Sequence, residues 1–449
     1  MTTYSKSEID ALKQADLHYY LHPTSSIVNL EAKGPKIITG GKGCMVSDIE
    51  GKEYIDATAS LWYCSIGHGR SEIADIAHQQ ITTLESFHSF NEYSNVPAIK
   101  LAEKVSSMVP LKNARLFFTS GGSESNDTIF KLARLYWYCK DKDSKDIIIT
   151  RNKTYSGVSC GALCSTRLPK FHEGFEPLLP GFEQIDTPHC YHCPWDKEYP
   201  GCDLECAGAL EEKIKELGAE NVAAFIAEPI MGTGGVIIPP PGYYQKIRTI
   251  CDTYDILFIA DEVINAFGRT GLMFGIEHWD GVRPDFMTIA KAISSGYVQL
   301  GAVALSEDIF KTLKTLDKIM HGYTYSGDPL ACAVGLKNLE IIERENLTAN
   351  SKAMGERLLQ GFTGLDHELI GEVRGKGLMV GVELVKDRKT KEKFETPLAP
   401  KVVDIAYEKG VITRPLINDV LQFSPPLTIS ASEIDEVVRI VTESINQAK

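Results

Sequence analysis

Two stretches near the middle of the chain are apolar almost throughout. Residues 256–260 read Ile-Leu-Phe-Ile-Ala and close on Asp261 and Glu262; residues 286–290 read Phe-Met-Thr-Ile-Ala and close on Lys291. Short runs with no polar face, bounded by turn-forming residues, predict strands buried on both sides, as in a parallel sheet covered by helices. A carboxylate and an amine at the ends of neighbouring buried strands would both face the crevice at the carboxyl edge of an α/β sheet.

The same alternation extends either way. Strands are predicted over 114–119, 146–150, 222–227 and 300–305, with helices over 124–138, 207–217 and 242–254 between them. That order implies one mostly parallel sheet with helices on both faces. Before it, the pattern predicts an entry helix over 7–20, a hairpin over 45–57 turning at Glu50-Gly51-Lys52, and helices over 71–84, capped by Ser71, and 96–108. After it come a small-residue loop at 321–327, a helix over 330–343 and a strand over 377–384. A helix over 400–409 and a strand over 411–414 follow. The last helix, 431–447, carries Ile434, Val437, Val438 and Val441 on one face. Residues 160–206 read as irregular, with no repeat or low-complexity segment anywhere in the chain.

With 449 residues the chain exceeds what one core serves, so a large domain and a smaller one are expected. The 43% hydrophobic and 24% charged content is that of an ordinary globular protein. A formal charge of −13 argues against a nucleic-acid or anionic-membrane surface while leaving room for a local phosphate site. No apolar run approaches the ~20 residues of a membrane helix, and residues 1–10 are polar, without a signal-peptide core. The 11 cysteines are an odd number, so they cannot all pair. Reduced thiols in the cytoplasm are the expectation.

Candidate chemistry gathers at the strand ends. Lysine forms a Schiff base with the aldehyde of pyridoxal phosphate and aspartate pairs with its pyridine nitrogen, so Lys291 and Asp261 suit that cofactor; alone, they would read more readily as a surface amine and a helix cap. Ser120-Gly121-Gly122-Ser123 stands between a strand and a helix, where unpaired amides bind phosphate. Tyr155, after the next strand, suits stacking on a flat ring or plain packing. Leu61-Trp62-Tyr63 and Gly67-His68-Gly69 suit a pocket wall or a packed turn. Cys190, Cys193, Cys202 and Cys206 follow a C-x2-C-x8-C-x3-C spacing, with His189 and His192 beside them. That admits a zinc site or a thiol-rich surface insertion. Neither G-x-G-x-x-G after a strand nor G-x-x-x-x-G-K-S/T occurs, which weighs against a nucleotide-binding or metal-stabilised interaction protein.

Taken together, the blocks 261–271 (Asp-Glu-Val-Ile-Asn-Ala-Phe-Gly-Arg-Thr-Gly), 121–127, 321–327 and 374–378 make the chain similar to the class III (omega) aminotransferases of the fold-type-I pyridoxal-phosphate superfamily. The resemblance spans almost the whole length. It implies a large, mostly parallel sheet domain flanked by helices (66–328) and a smaller α+β domain built from both termini (1–65 and 329–449). Lys291 would hold the cofactor and shuttle the proton, and Asp261 would hold the pyridinium. Gly121, Gly122 and Ser123 would bind the phosphate, and Tyr155 and Val263 would cover the two ring faces. Glu228 would sit near the ring and the substrate. Tyr323 and Thr324 would reach the phosphate of a neighbouring subunit, making a homodimer, or a tetramer, with shared sites. Trp62 would line the substrate pocket and Arg414 would bind an acceptor's carboxylate. The partners implied are a small amino donor and a 2-oxo acid, with no nucleic acid and no membrane. The donor would be of the β-alanine, 4-aminobutyrate, taurine or diamine type, and the acceptor pyruvate rather than 2-oxoglutarate. Cysteine-bearing insertions occur in some members, which turns the metal expectation to none. Decarboxylases, epimerases and aminomutases share the fold and are the alternative reactions. Four departures stand out: Gly121 where serine is frequent, Ser156 and Asp328 where histidine is common, and a longer segment at 415–419.

Overall fold

The computed structural model describes residues 4–449; residues 1–3, at the head of the stretch read for an export signal, lie outside the described residues. Seven strands form the central sheet. They are β1 (Arg115–Thr119), β2 (Ile147–Arg151), β3 (Phe182–Ile185), β4 (Val222–Ala227), β5 (Leu257–Asp261), β6 (Phe286–Ile289) and β7 (Gly301–Leu305). Their order is β1-β7-β6-β5-β4-β2-β3. All pairings are parallel except those of β7, which runs antiparallel to both β1 and β6. The carboxyl ends of β1, β2, β4, β5 and β6 therefore share one edge.

The apolar runs explain why this sheet is the core. β4, β5, β6 and β7 are buried at every position. Alternate side chains go to opposite faces. Ala224, Ile226, Leu257, Ile259 and Phe286 pack with Ile129, Ala133 and Trp137 of the helix Gly122–Tyr138 on one face. Phe225, Phe258 and Met287 pack with Tyr244 and Ile247 of the helix Tyr243–Thr253 on the other.

Two four-stranded sheets flank it. In one, Ile38–Lys42, Met45–Asp48 and Glu53–Asp56 form an antiparallel meander, and Val411–Ile412 pairs in parallel with Glu53–Asp56. In the other, Ile370–Gly375, Val380–Leu384, Val420–Phe423 and Arg414–Leu416 lie side by side, all antiparallel. The expected strand over 411–414 is thus two strands in two sheets, and Thr413 is the turning point; its hydroxyl donates to Gln422 O at 2.6 Å. Within the stretch read as irregular, β3 adds an edge strand. Ser71 is the first helical residue rather than a cap; Arg70 stands at the cap and its side chain makes no capping bond.

Candidate active site

The site is assembled from loops that leave the carboxyl edge of the central sheet. After β1 the chain turns through Ser120 and Gly121 into the helix Gly122–Tyr138. The first amides of that helix have no partner within it, and its dipole adds partial positive charge there. Gly121 is extended (φ 175°), and open space surrounds the position a Cβ would take, so serine would be accepted there. Gly122 is different: a Cβ would stand 2.9 Å from Val263 Cγ1. Val263 thus packs directly on the start of the helix.

Asp261 ends β5 and is 3% exposed. Its Oδ2 accepts from Asn126 Nδ2 at 2.9 Å and its Oδ1 from Val263 N at 3.2 Å. Burial pushes its pKa up, while these donors and the Lys291 ammonium push it back. Lys291 lies two residues beyond β6, with φ at +50°. That left-handed backbone costs a residue with a Cβ on the order of 1 kcal/mol and indicates a position imposed by its surroundings. Burial lowers its amine pKa; Asp261 and Glu228 oppose that, and Arg414 adds to it. Glu228 follows β4 and is buried. It accepts from the Thr154 hydroxyl (2.8 Å), Tyr155 N (3.2 Å) and Gly232 N (2.8 Å). Burial, and next the charge of Asp261, nevertheless push its pKa up to about 7.

Gly122, Ser123, Tyr155, Glu228, Asp261, Val263 and Lys291 line one cavity of about 100 Å³. Gly121 stands at its rim as the residue before the helix. Arg414, half-buried on the strand Arg414–Leu416, is close enough for its charge to act on Tyr155 and Lys291. Among the described residues its guanidinium has no hydrogen bond or ion pair, and burial lowers its pKa.

Three expected residues lie elsewhere in the single chain. Trp62 is 1% exposed and belongs to the hydrophobic core; it is not among the residues that line the cavity. Its indole nitrogen has no partner among the described residues, and its φ is +71°. Tyr323 lies along the helix Gly122–Tyr138, where its hydroxyl donates to Glu124 O at 3.3 Å. Thr324 is exposed.

Asn126 carries a task that the sequence did not single out. It stands one turn into the helix, is 1% exposed, and ties Ser156 O (2.7 Å) and Asp261 together. The i to i+4 step from Gly122 was the available signal, since it puts both residues on one helix face.

These residues fit pyridoxal 5′-phosphate. A buried carboxylate and an amine face one cavity, a helix N-terminus supplies anion donors, and the buried Asn126 Oδ1 has no partner among the described residues. Comparison with known proteins agrees. The family profile described as aminotransferase class-III matches residues 29–445. A putrescine–pyruvate aminotransferase of Pseudomonas aeruginosa is 38% identical over 432 residues, covering 96% of this chain and 94% of the relative. A diaminobutyrate–2-oxoglutarate transaminase of Halomonas elongata is 37% identical, covering 100% and 97%. The crystal structure of an omega transaminase of Pseudomonas jessenii in complex with PMP superposes with a TM-score of 0.94 at 39% identity, covering 97% of this chain and 98% of the other. The fold is that of the fold-type-I transferases. The chain belongs to the class III aminotransferases, which work with pyridoxal 5′-phosphate.

Proposed function

We propose that this enzyme moves an amino group from an omega-amino acid or amine of the β-alanine, 4-aminobutyrate, taurine or diamine type to pyruvate. The observation that carries the reading is the pairing of Asp261 with Lys291 on one cavity, beside an unpartnered guanidinium at Arg414. When bound, pyridoxal phosphate supplies an electron-withdrawing ring and carries the amino group between the two half-reactions.

The residues do the rest. Lys291 Nζ, made a weaker base by burial, takes the proton from the donor's reacting carbon and later returns it. Asp261 holds negative charge against the ring nitrogen, with Asn126 fixing its orientation. Gly121, Gly122 and Ser123 offer the phosphate backbone amides and a hydroxyl. Tyr155 and Val263 cover the ring faces. Glu228, held by three donors, orients the ring's edge and the incoming substrate. Arg414 meets the acceptor's carboxylate with a fork of N–H donors.

We read the working form as a homodimer, in which Tyr323 and Thr324 reach the neighbour's phosphate. The segment 87–99 exposes Phe87, Phe90, Tyr93, Val96 and Ile99, and Met320 and Tyr325 are exposed in the loop it packs on. An apolar surface of that kind suits a second copy. A cytoplasmic location is supported by 11 cysteines that are all free thiols. No helix among the described residues is long and apolar enough to cross a membrane.

The test is spectroscopic. Omega-amino donors are added singly, without acceptor, and the cofactor's visible absorption is followed. The band should bleach with one donor class and return on adding pyruvate. Return with 2-oxoglutarate but not pyruvate would overturn the acceptor; carbon dioxide release without acceptor would overturn transamination.

A further inference from the structure

Away from the cavity, four of the 11 cysteines meet. Cys190, Cys193, Cys202 and Cys206 line a single enclosure of about 20 Å³, walled by Pro188, Pro194 and Pro240. All four are free thiols. Of the first pair, Cys193 opens a turn that Asp196 N closes by donating to Cys193 O at 3.1 Å, and Cys190 lies three residues before it. The second pair spans the start of the helix Glu205–Leu217: Cys206 is its second residue, and Glu205 N donates to Cys202 O at 3.2 Å. A two-residue and a three-residue spacing are therefore presented on two locally hydrogen-bonded supports that face each other.

The space suits one ion and no organic ligand. Four sulfur donors select a soft, tetrahedral ion, and zinc is the usual choice for a closed site of this kind. We propose that Cys190, Cys193, Cys202 and Cys206 bind a structural zinc ion. Four S–H bonds give way to four Zn–S bonds, the four protons leave to solvent, and no electron is transferred. Lys197, on the same wall, is ion-paired with Glu205, which also lines the enclosure, so a zinc tetrathiolate would face a neutral pair there.

A neighbouring group competes for the assignment. His189, Glu372 and Glu383 are the set among the described residues whose ligand atoms already lie within 4.8 Å of one another. No three of the cysteine sulfurs lie that close to one another, so an ion would have to draw both pairs inward, including the exposed Cys190. The His189 set, however, already holds a cation. Arg374 Nη1 lies 2.5 Å from Glu372 Oε2 and 2.7 Å from Glu383 Oε2, which supplies the positive charge an ion would bring. His192 Nε2 donates to Glu383 Oε1 at 2.5 Å. His192 thus fastens the cysteine turn to the strand Val380–Leu384, in the sheet whose edge carries Arg414, while the buried ring nitrogens of His189 have no hydrogen-bond partner among the described residues. Zinc would hold the turn rigid at the other side. This reading departs from the expectation of no metal, drawn from the resemblance, on the ground that the structure brings both pairs to one enclosure.

The test uses the full-length holoenzyme, purified without a histidine tag or chelator. Plasma emission should find about one zinc per chain. Protein grown on cobalt should show intense sulfur-to-cobalt charge transfer and strong tetrahedral d–d absorption. Cys190→Ser, exposed and so tolerant of change, and Cys193→Ser should each lower bound zinc at least about fivefold. Cys160→Ser, an exposed thiol outside the group, should keep it. The proposal is overturned by wild-type protein with under about a tenth of a zinc per chain, or by zinc retained in both variants. It is equally overturned by a cobalt spectrum of oxygen and nitrogen ligands, or by disulfides among these four cysteines in anaerobically prepared protein.

Discussion

Lys291 has no extended strand under it: its left-handed backbone turns the side chain away from the line of β6 and onto the cavity. Lys291→Ala should abolish turnover and the visible absorption of bound cofactor; an active variant would remove the lysine from the reaction. Asp261→Asn should slow turnover on the order of a hundredfold with little change in substrate KM, measured by steady-state kinetics. Glu228 gives a pH signature. Its folded pKa of about 7 lies above the ordinary carboxyl value of 4.5, so the folded chain binds the extra proton between them. Its contribution is fully present below the lower value and is lost as pH rises through the upper one, a change of about 3 kcal/mol at most. Glu262, pushed up to about 8 by burial, acts in the same direction. The melting temperature of the cofactor-free protein should therefore fall from pH 5 to 7, and Glu228→Gln should flatten that slope. An unchanged slope would mean Glu228 ionises normally. Lys291 and Asp261 were readable from sequence because each ends an apolar run and so must sit at a sheet edge. Asn126 was not, because nothing local marks a helical asparagine as facing a strand end.

Among elements, the start of the helix Gly122–Tyr138 is the sensitive one. Gly122→Ala pushes a methyl group against Val263, which lines the cavity. Cofactor titration should show weaker binding by about tenfold, with Gly121→Ser near wild type because its Cβ position is open. The blocks 261–271 and 374–378 also carry a packing role invisible in their spelling. Arg269 is buried and donates to Leu378 O (2.9 Å) and Pro425 O (2.6 Å). Gly377 has φ at +52°, and a Cβ there would collide with the Gly271 and Thr270 backbone. Gly377→Ala should destabilise by about 3 kcal/mol, read by urea unfolding. The buried strands were legible because no polar face interrupts them. β3 was not: Phe-Glu-Gln-Ile is short, polar in its middle and at the sheet edge, so neither period nor length distinguishes it from loop. The split at Thr413 was equally hidden, since two strands one residue apart share a single apolar pattern.

For the whole molecule, the exposed aromatic and aliphatic side chains of 87–99 and the 321–327 loop argue for assembly. Sedimentation should find two or four chains per particle. Val96→Asp with Ile99→Asp should yield single chains, and on the proposed shared-site reading their cofactor affinity should drop. A monomer with unchanged cofactor affinity would place the phosphate site within one chain. Trp62 belongs to this scale as well: it is sealed in the core of the single chain, a placement set by long-range packing rather than by its aromatic neighbours in sequence.

The single reversed strand, β7, has a further consequence. It separates β1 from β6 by one place, so the strands that lead into the anion-binding turn and into the lysine run two strand widths apart, about 9.6 Å, while those that lead into Lys291, Asp261 and Glu228 follow at single widths of about 4.8 Å. The site is graduated like a ruler, with marks set by backbone pairing. Evolution and engineering can retune what hangs from each mark, but moving a mark means inserting or deleting a whole strand. Substrate range in such a scaffold is therefore free to vary at the rim, while the spacing of the strands that carry the reacting groups stays quantised.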